Sequence, residues 1–199
     1  MSEQFKHKIV AYHTCEFRGE SKNGLLKKLP IISSDNRNHN QWLTQGAYFW
    51  TDSITHAKKW KVSRYKTRVI SEFEIEFNKC DDIFDLVGNV KHIEFLFEIA
   101  RVIIGQGIDA YASPMTISVI LEHLKSRHIG TSIFPFIAVK AGDFPKLSYE
   151  EYIFSDKDKI PIVFKPMLRQ QLCIFDMNSV KFKIKRLFKV DNRGKCHEI

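Results

Sequence analysis

The sequence lacks the uninterrupted apolar run of about 20 residues that a membrane-spanning helix requires, which excludes a bundle of such helices. It also lacks paired cysteines: Cys15, Cys80, Cys173 and Cys196 are scattered, with no CxxC spacing. That usage predicts free thiols in a reducing, cytoplasmic setting and no structural zinc. GxGxxG, P-loop and HExxH patterns are missing, which removes the sequence support for three common nucleotide and metal chemistries. The start, MSEQFKHKIVAYH, is polar and then strand-like, so no signal peptide is expected. No repeat or low-complexity linker interrupts the chain, and 199 residues fit one domain over 1–199.

What is present is an ordinary globular composition, 44% hydrophobic, with 16 phenylalanines that point to a core rich in aromatic contacts. The 31 Lys and Arg against 23 Asp and Glu leave a net charge of +8. Such a surface suits a polyanionic partner, either nucleic acid or an acidic protein, and equally suits solubility alone.

Along the chain, KIVAYHT (8–14) reads as a strand. Residues 18–41 read as a long loop holding one short apolar element, LLKKLPII. Ala47 to Trp50 is a second strand, and Asp52 or Ser53 is placed to cap the helix that follows. VISEFEIEF (69–77) alternates strictly, so Phe73, Ile75 and Phe77 are expected inside and Glu72, Glu74 and Glu76 outside. Helices are expected over 90–104 and about 115–127, with a strand-like DAYAS between them. Further strands are expected in IFPFIAVKA, YEEYIF, IPIVFKP, QQLCIFD and VKFKIKRLFKV. Strands at both ends and helices in the middle predict an α+β fold with a largely antiparallel sheet.

Few single residues carry chemistry on their own. Cys80, Asp81, Asp82 and Asp85 form an acidic group that reads as turn caps ahead of a metal site. Glu150 and Glu151 are adjacent on an expected strand, so their side chains diverge and they read as surface. His13, Tyr48 and Gln171 taken singly read as ordinary strand residues.

Their combination is more specific. A strand ending Tyr12-His13-Thr14, a later Gly46-Ala47-Tyr48-Phe49 before a capped helix, and a late Gln171-Leu-Cys-Ile-Phe-Asp176 resemble the ADP-ribosyltransferase family. The branch it resembles is the diphtheria-toxin/poly(ADP-ribose) polymerase type, whose site is a His-Tyr-Glu triad. The three motifs span residues 10 to about 185, and the second is the most specific. Two departures stand out in the first motif: Thr14 where the family has glycine, and Cys15 where it has Ser or Thr. A third is Gln171 in place of the glutamate, a substitution similar to that in bacterial stand-alone domains of toxin–antitoxin or phage-defence settings.

The resemblance implies a split β-sandwich with flanking helices and NAD as co-substrate, with no metal. It implies His13, Tyr48 and Gln171 as the catalytic set, and His13, Thr14, Gly46, Tyr48 and Arg18 as cofactor-binding residues. Gly46 would allow close backbone approach, Tyr48 would stack on the nicotinamide, and His13 would hydrogen-bond the adenosine-side ribose. Gln171 would orient the ribose hydroxyl next to the bond that breaks, and Arg18 with Arg37 would cover the pyrophosphate. The implied activity is transfer of single ADP-ribose units to a macromolecule, nucleic acid ahead of protein, by a toxin or defence effector restrained by an antitoxin. A catalytically silent NAD-binding interaction module and an NAD glycohydrolase are the alternatives.

Overall fold

A computed structural model describes residues 6–34, 41–51, 53–60, 67–105, 116–143, 152–154, 162–164, 169–191 and 193–199. Asp52, Arg37, the DAYAS segment, Gly107, Glu150 and Glu151 lie outside the described residues. The elements run β1 (His7–Glu16), α1 (Lys22–Lys28), β2 (Ala47–Thr51), α2 (Ile54–Lys59), β3 (Arg68–Phe77) and β4 (Ile83–Asp85). They continue with α3 (Val90–Gly105), α4 (Ile117–His128), β5 (Ala138–Gly142), β6 (Tyr152–Phe154), β7 (Ile162–Phe164), β8 (Gln170–Ile174), β9 (Lys181–Val190) and β10 (Cys196–Glu198).

Side-chain caps set the helix starts. Ser21 accepts from the Gly24 N–H at 3.1 Å, and Ser53 accepts from the Thr55 N–H at 3.3 Å. The expected choice between Asp52 and Ser53 is thus made by Ser53. Asn89 caps α3 through Lys91 N–H at 3.1 Å, and Thr116 caps α4 through Val119 N–H at 3.4 Å. The acidic group works the same way: Asp82 accepts from Lys79 N–H, while Asp85 accepts from Val87 and Gly88 N–H.

Eight strands form one sheet in the order β10-β9-β3-β1-β2-β8-β5-β4, and β6 pairs with β7 apart from it. All pairings are antiparallel except β4 with β5. The class is α+β, with the expected antiparallel bias. The eight strands share one hydrogen-bonded sheet, which is pinched at its centre. All ten residues of β1 pair with β3, and four residues of β2 pair with β8. Between β1 and β2 only Ala11–Thr51 and Tyr12–Trp50 are in register. Beyond Tyr12 the two strands diverge, and the sheet opens.

The sheet's period-2 alternation sorts residues between three apolar clusters. Phe73, Ile75 and Phe77 are buried as expected, with Ala11, Phe49, Leu172 and Ile174, beneath Leu25 and Leu29. The loop expected over 18–41 therefore contains a docked helix, because Leu25 and Leu29 have a core to enter. Against the opposite face, α3 and α4 pack Leu96, Ile103, Leu121 and Leu124 over Phe84, Val139 and Cys173. The short α2 sets Ala57 against Trp50 and Ile70.

Two expectations are corrected. Glu72 is buried, because Arg186 of β9 grips its carboxylate at 2.6 and 3.0 Å. A bulge opposite Glu72 and Phe73 leaves Lys185 unpaired in register, so Arg186 falls directly across from Glu72. The helix expected over 90–104 runs one residue further, to Gly105, and exposes Phe97, Val102 and Ile104 along its length. No helix among the described residues is long and apolar enough to cross a membrane.

Candidate functional site

Where β1 and β2 part, a cavity of about 570 Å³ opens, a volume in the range of small-molecule sites. Its walls come from the end of β1, from the start of β2, from β8, and from the segments around residues 31–34 and 41–42. His13 and Phe49 point to one face of the sheet, their rings 5.6 Å apart. Tyr48, Trp50 and Gln171 belong to the opposite face, since Trp50 and Gln171 are register partners. The opening lets one cavity reach both. His13, Thr14, Arg18, Gly46, Tyr48 and Gln171, distant in sequence, all line it.

Each of these residues has work inside the chain. The His13 Nδ1–H donates to the Tyr48 carbonyl at 2.8 Å, and Nε2 accepts from Ile31 N–H at 3.2 Å. One nitrogen must donate and the other accept, so the ring is neutral with its proton on Nδ1. Burial lowers its pKa to about 4, opposed in part by the bond to Tyr48. A ribose hydroxyl reaches a ring nitrogen only by displacing one of these partners.

The Tyr48 hydroxyl accepts from Leu43 and Thr44 N–H at 3.2 and 3.1 Å and donates to the Thr44 carbonyl at 2.7 Å. Its pKa is raised by burial, so the phenol stays protonated and serves as an anchor. The ring itself is half-buried and forms part of the cavity wall. Thr14 donates to the Ala57 carbonyl at 3.3 Å, tying β1 to α2. Arg18 pairs with Glu16 at 2.8 Å at the cavity mouth.

Gly46 is required, though by its neighbour strand. A Cβ there would stand 2.5 Å from the Ile174 carbonyl oxygen and 2.7 Å from Cys173 Sγ. Glycine thus admits β8 to the start of β2. Its N–H binds Ser33 Oγ at 3.1 Å and its carbonyl accepts from Ser33 N–H at 2.9 Å, which seats residues 31–33 in the opening.

Gln171 is 7% exposed, and its Oε1 accepts from the Trp42 indole N–H at 3.0 Å. Comparison with known protein families, with curated proteins and with solved structures returns no match. The site therefore stands on its own geometry.

Sequence reasoning passed over Trp42, Lys28 and the 31–34 segment, all of which line the cavity. Trp42 carried the one available signal, a large donor-bearing ring in an otherwise polar stretch, HNQWLTQG. Among the described lining residues Glu16 is the one carboxylate, and Arg18 neutralises it. Cys15 lies in the wall too, its thiol pushed up to about 11 by burial, which leaves it a poor nucleophile.

Proposed function

We propose that this cavity binds NAD and that the protein is a mono-ADP-ribosyltransferase, with an ADP-ribosyltransferase-like split β-sandwich as its fold. One observation supports the reading above others: His13, Tyr48 and Gln171, from three strands, line one cavity where β1 and β2 part. In the reaction the bond between nicotinamide and ribose breaks, and its electron pair leaves with the nicotinamide nitrogen. The ribose carbon is left cation-like until a nucleophile of the acceptor attacks it and loses a proton. The half-buried Tyr48 ring offers the nicotinamide a flat wall. Arg18 and Lys28, both lining the cavity and paired with Glu16 and Glu20, would exchange those carboxylates for the pyrophosphate.

The acceptor on this reading is a macromolecule, nucleic acid ahead of protein because of the +8 charge. A cytoplasmic toxin or defence effector, held in check by an antitoxin, is the setting that fits. A second reading, a silent NAD-binding module, is favoured by the amide at 171 and the neutralised Glu16. A carboxylate about 5 Å from the ribose contributes roughly 3 kcal/mol at an effective dielectric near 20, so its lack slows scission by about two decades.

Labelled NAD incubated with the protein alone, then with RNA, DNA and a protein lysate, separates the readings. Label carried into one macromolecular fraction supports transfer. Nicotinamide release without label transfer identifies a glycohydrolase, and NAD bound but intact identifies the silent module. No binding of NAD at any concentration overturns the reading altogether. Gln171→Ala removes the side chain that orients the ribose, a loss that outweighs any relief from its N–H dipole. It is expected to lose at least nine-tenths of transfer while keeping NAD affinity within about threefold, as hydrogen-bond loss near 0.5 kcal/mol allows.

A further inference from the structure

An amide side chain has two unlike ends, and which end meets a ligand decides what the ligand is asked to do. At Gln171 the choice is made by Trp42. The indole N–H has no acceptor capacity, so the atom 3.0 Å from it must be the amide oxygen. The NH2 group is thereby turned the other way, and it has no hydrogen-bond partner among the described residues. Since Gln171 lines the cavity and its oxygen is taken by Trp42, a ligand there is left the donors, where a glutamate would present an acceptor.

Trp42 is itself held firmly. Two residues on, Thr44 adopts φ +137°, a conformation that L-residues with a Cβ rarely take. Such strain persists when the surroundings over-determine it. Here the Tyr48 hydroxyl binds both N–H groups of the turn and the Thr44 carbonyl. The Thr44 hydroxyl lies between Lys125, at 2.6 Å, and the Glu122 carboxylate of α4. The turn that carries Trp42 is thus clamped to both the sheet and a helix.

We infer that Trp42 is a positioning residue that locks the Gln171 amide with its donors toward the ligand, and so restrains bond scission at this site. The second half of this inference rests on the NAD reading. An N–H dipole aimed at a ribose that is becoming positive opposes the charge, whereas an amide or carboxylate oxygen there favours it. A freed amide can rotate its oxygen inward. A carboxylate has two equivalent oxygens, so one can take the Trp42 N–H while the other faces the ligand.

Four proteins test this: wild type, Trp42→Phe, Gln171→Glu and the double variant. Trp42→Phe keeps the ring and deletes the N–H. Its kcat for nicotinamide release is expected to rise at least threefold, with KM within twofold of wild type. Gln171→Glu is expected to release nicotinamide at least tenfold faster, and adding Trp42→Phe to it is expected to give no further gain. Loosening of the fold alone would lower kcat, raise KM and act alike in both backgrounds, so any of these results overturns the restraint. The lock is read independently of turnover from the Trp42 indole N–H resonance of ligand-free protein. That resonance is expected to shift upfield in Gln171→Ala and to exchange faster with solvent. An unmoved resonance overturns the lock even where Trp42→Phe fails to fold. A moved resonance with no nicotinamide release from any of the four proteins removes the NAD reading and the restraint, and leaves the lock standing.

Discussion

The His13 ring joins two strands that their backbones leave apart: Nδ1–H donates 2.8 Å to the Tyr48 carbonyl, across the opening between β1 and β2. Nε2 accepts from Ile31, so the same ring also seats the segment that fills that opening. Protonation would put a second N–H against the Ile31 N–H and charge a buried ring.

Stability should therefore depend on pH in a defined window. In the unfolded chain His13 takes up a proton near pH 6.5, while the folded protein resists it until about pH 4. The folded pKa is the lower one, so the contribution is complete above about 6.5 and is lost as pH falls toward 4. The loss amounts to about 3 kcal/mol by linkage. Burial also lowers the pKa of His92 and His123, so a single profile does not isolate His13. The difference between wild type and His13→Asn in urea melts at pH 7 and pH 4.5 does. A difference that stays constant across that range refutes this role for the ring.

Gly46→Ala is expected to destabilise the protein by roughly 2–3 kcal/mol, because its methyl would meet the Ile174 backbone and Cys173 Sγ inside van der Waals distance. For a chain of this size that is a fall in Tm of about 5–10 °C. A variant with an unchanged Tm that has lost only NAD affinity would return the glycine to a ligand-contacting role.

Tyr48→Phe keeps the ring and removes the hydroxyl, leaving two N–H groups in the buried Leu43–Thr44 turn without their partner. The expected loss is about 1–3 kcal/mol, accompanied by a change in Trp42 fluorescence as the turn relaxes. Equal stability and an unchanged emission spectrum would show that the clamp is carried by Lys125 and Glu122 alone.

The basic residues of β9 are in part matched by carboxylates of β3. Glu72, Glu74 and Glu76 on β3 lie between Lys6 and Lys8 on one side and Lys181, Lys183, Lys185 and Arg186 on the other. Three cations remain in excess, so polynucleotide binding through this face is expected to follow salt with a log–log slope of about −2 to −3. Lys181→Glu with Lys183→Glu should flatten that slope. A slope near −6 in the wild type would mean that the nucleic acid lies elsewhere on the molecule.

The alternation in VISEFEIEF determined by itself that Phe73, Ile75 and Phe77 enter a core, because side chains on a strand must alternate between its faces. A cap at residue 52 or 53 and most of the strands and helices were equally local properties, readable from residue types a few positions apart, whereas α1, β4 and β10 were not. The sequence motifs also named five residues, His13, Thr14, Gly46, Tyr48 and Gln171, that come to line one cavity. What each residue does there depended on partners far along the chain. Gly46 answers to Ile174, the His13 ring to the Tyr48 carbonyl, 35 positions away, and the Gln171 oxygen to Trp42, 129 positions away. Glu72 looked exposed until a bulge in the pairing of β3 with β9 brought Arg186 across it. A hydrogen bond needs two groups within about 3 Å, and only the folded sheet, pinched between β1 and β2, decided which pairs those were.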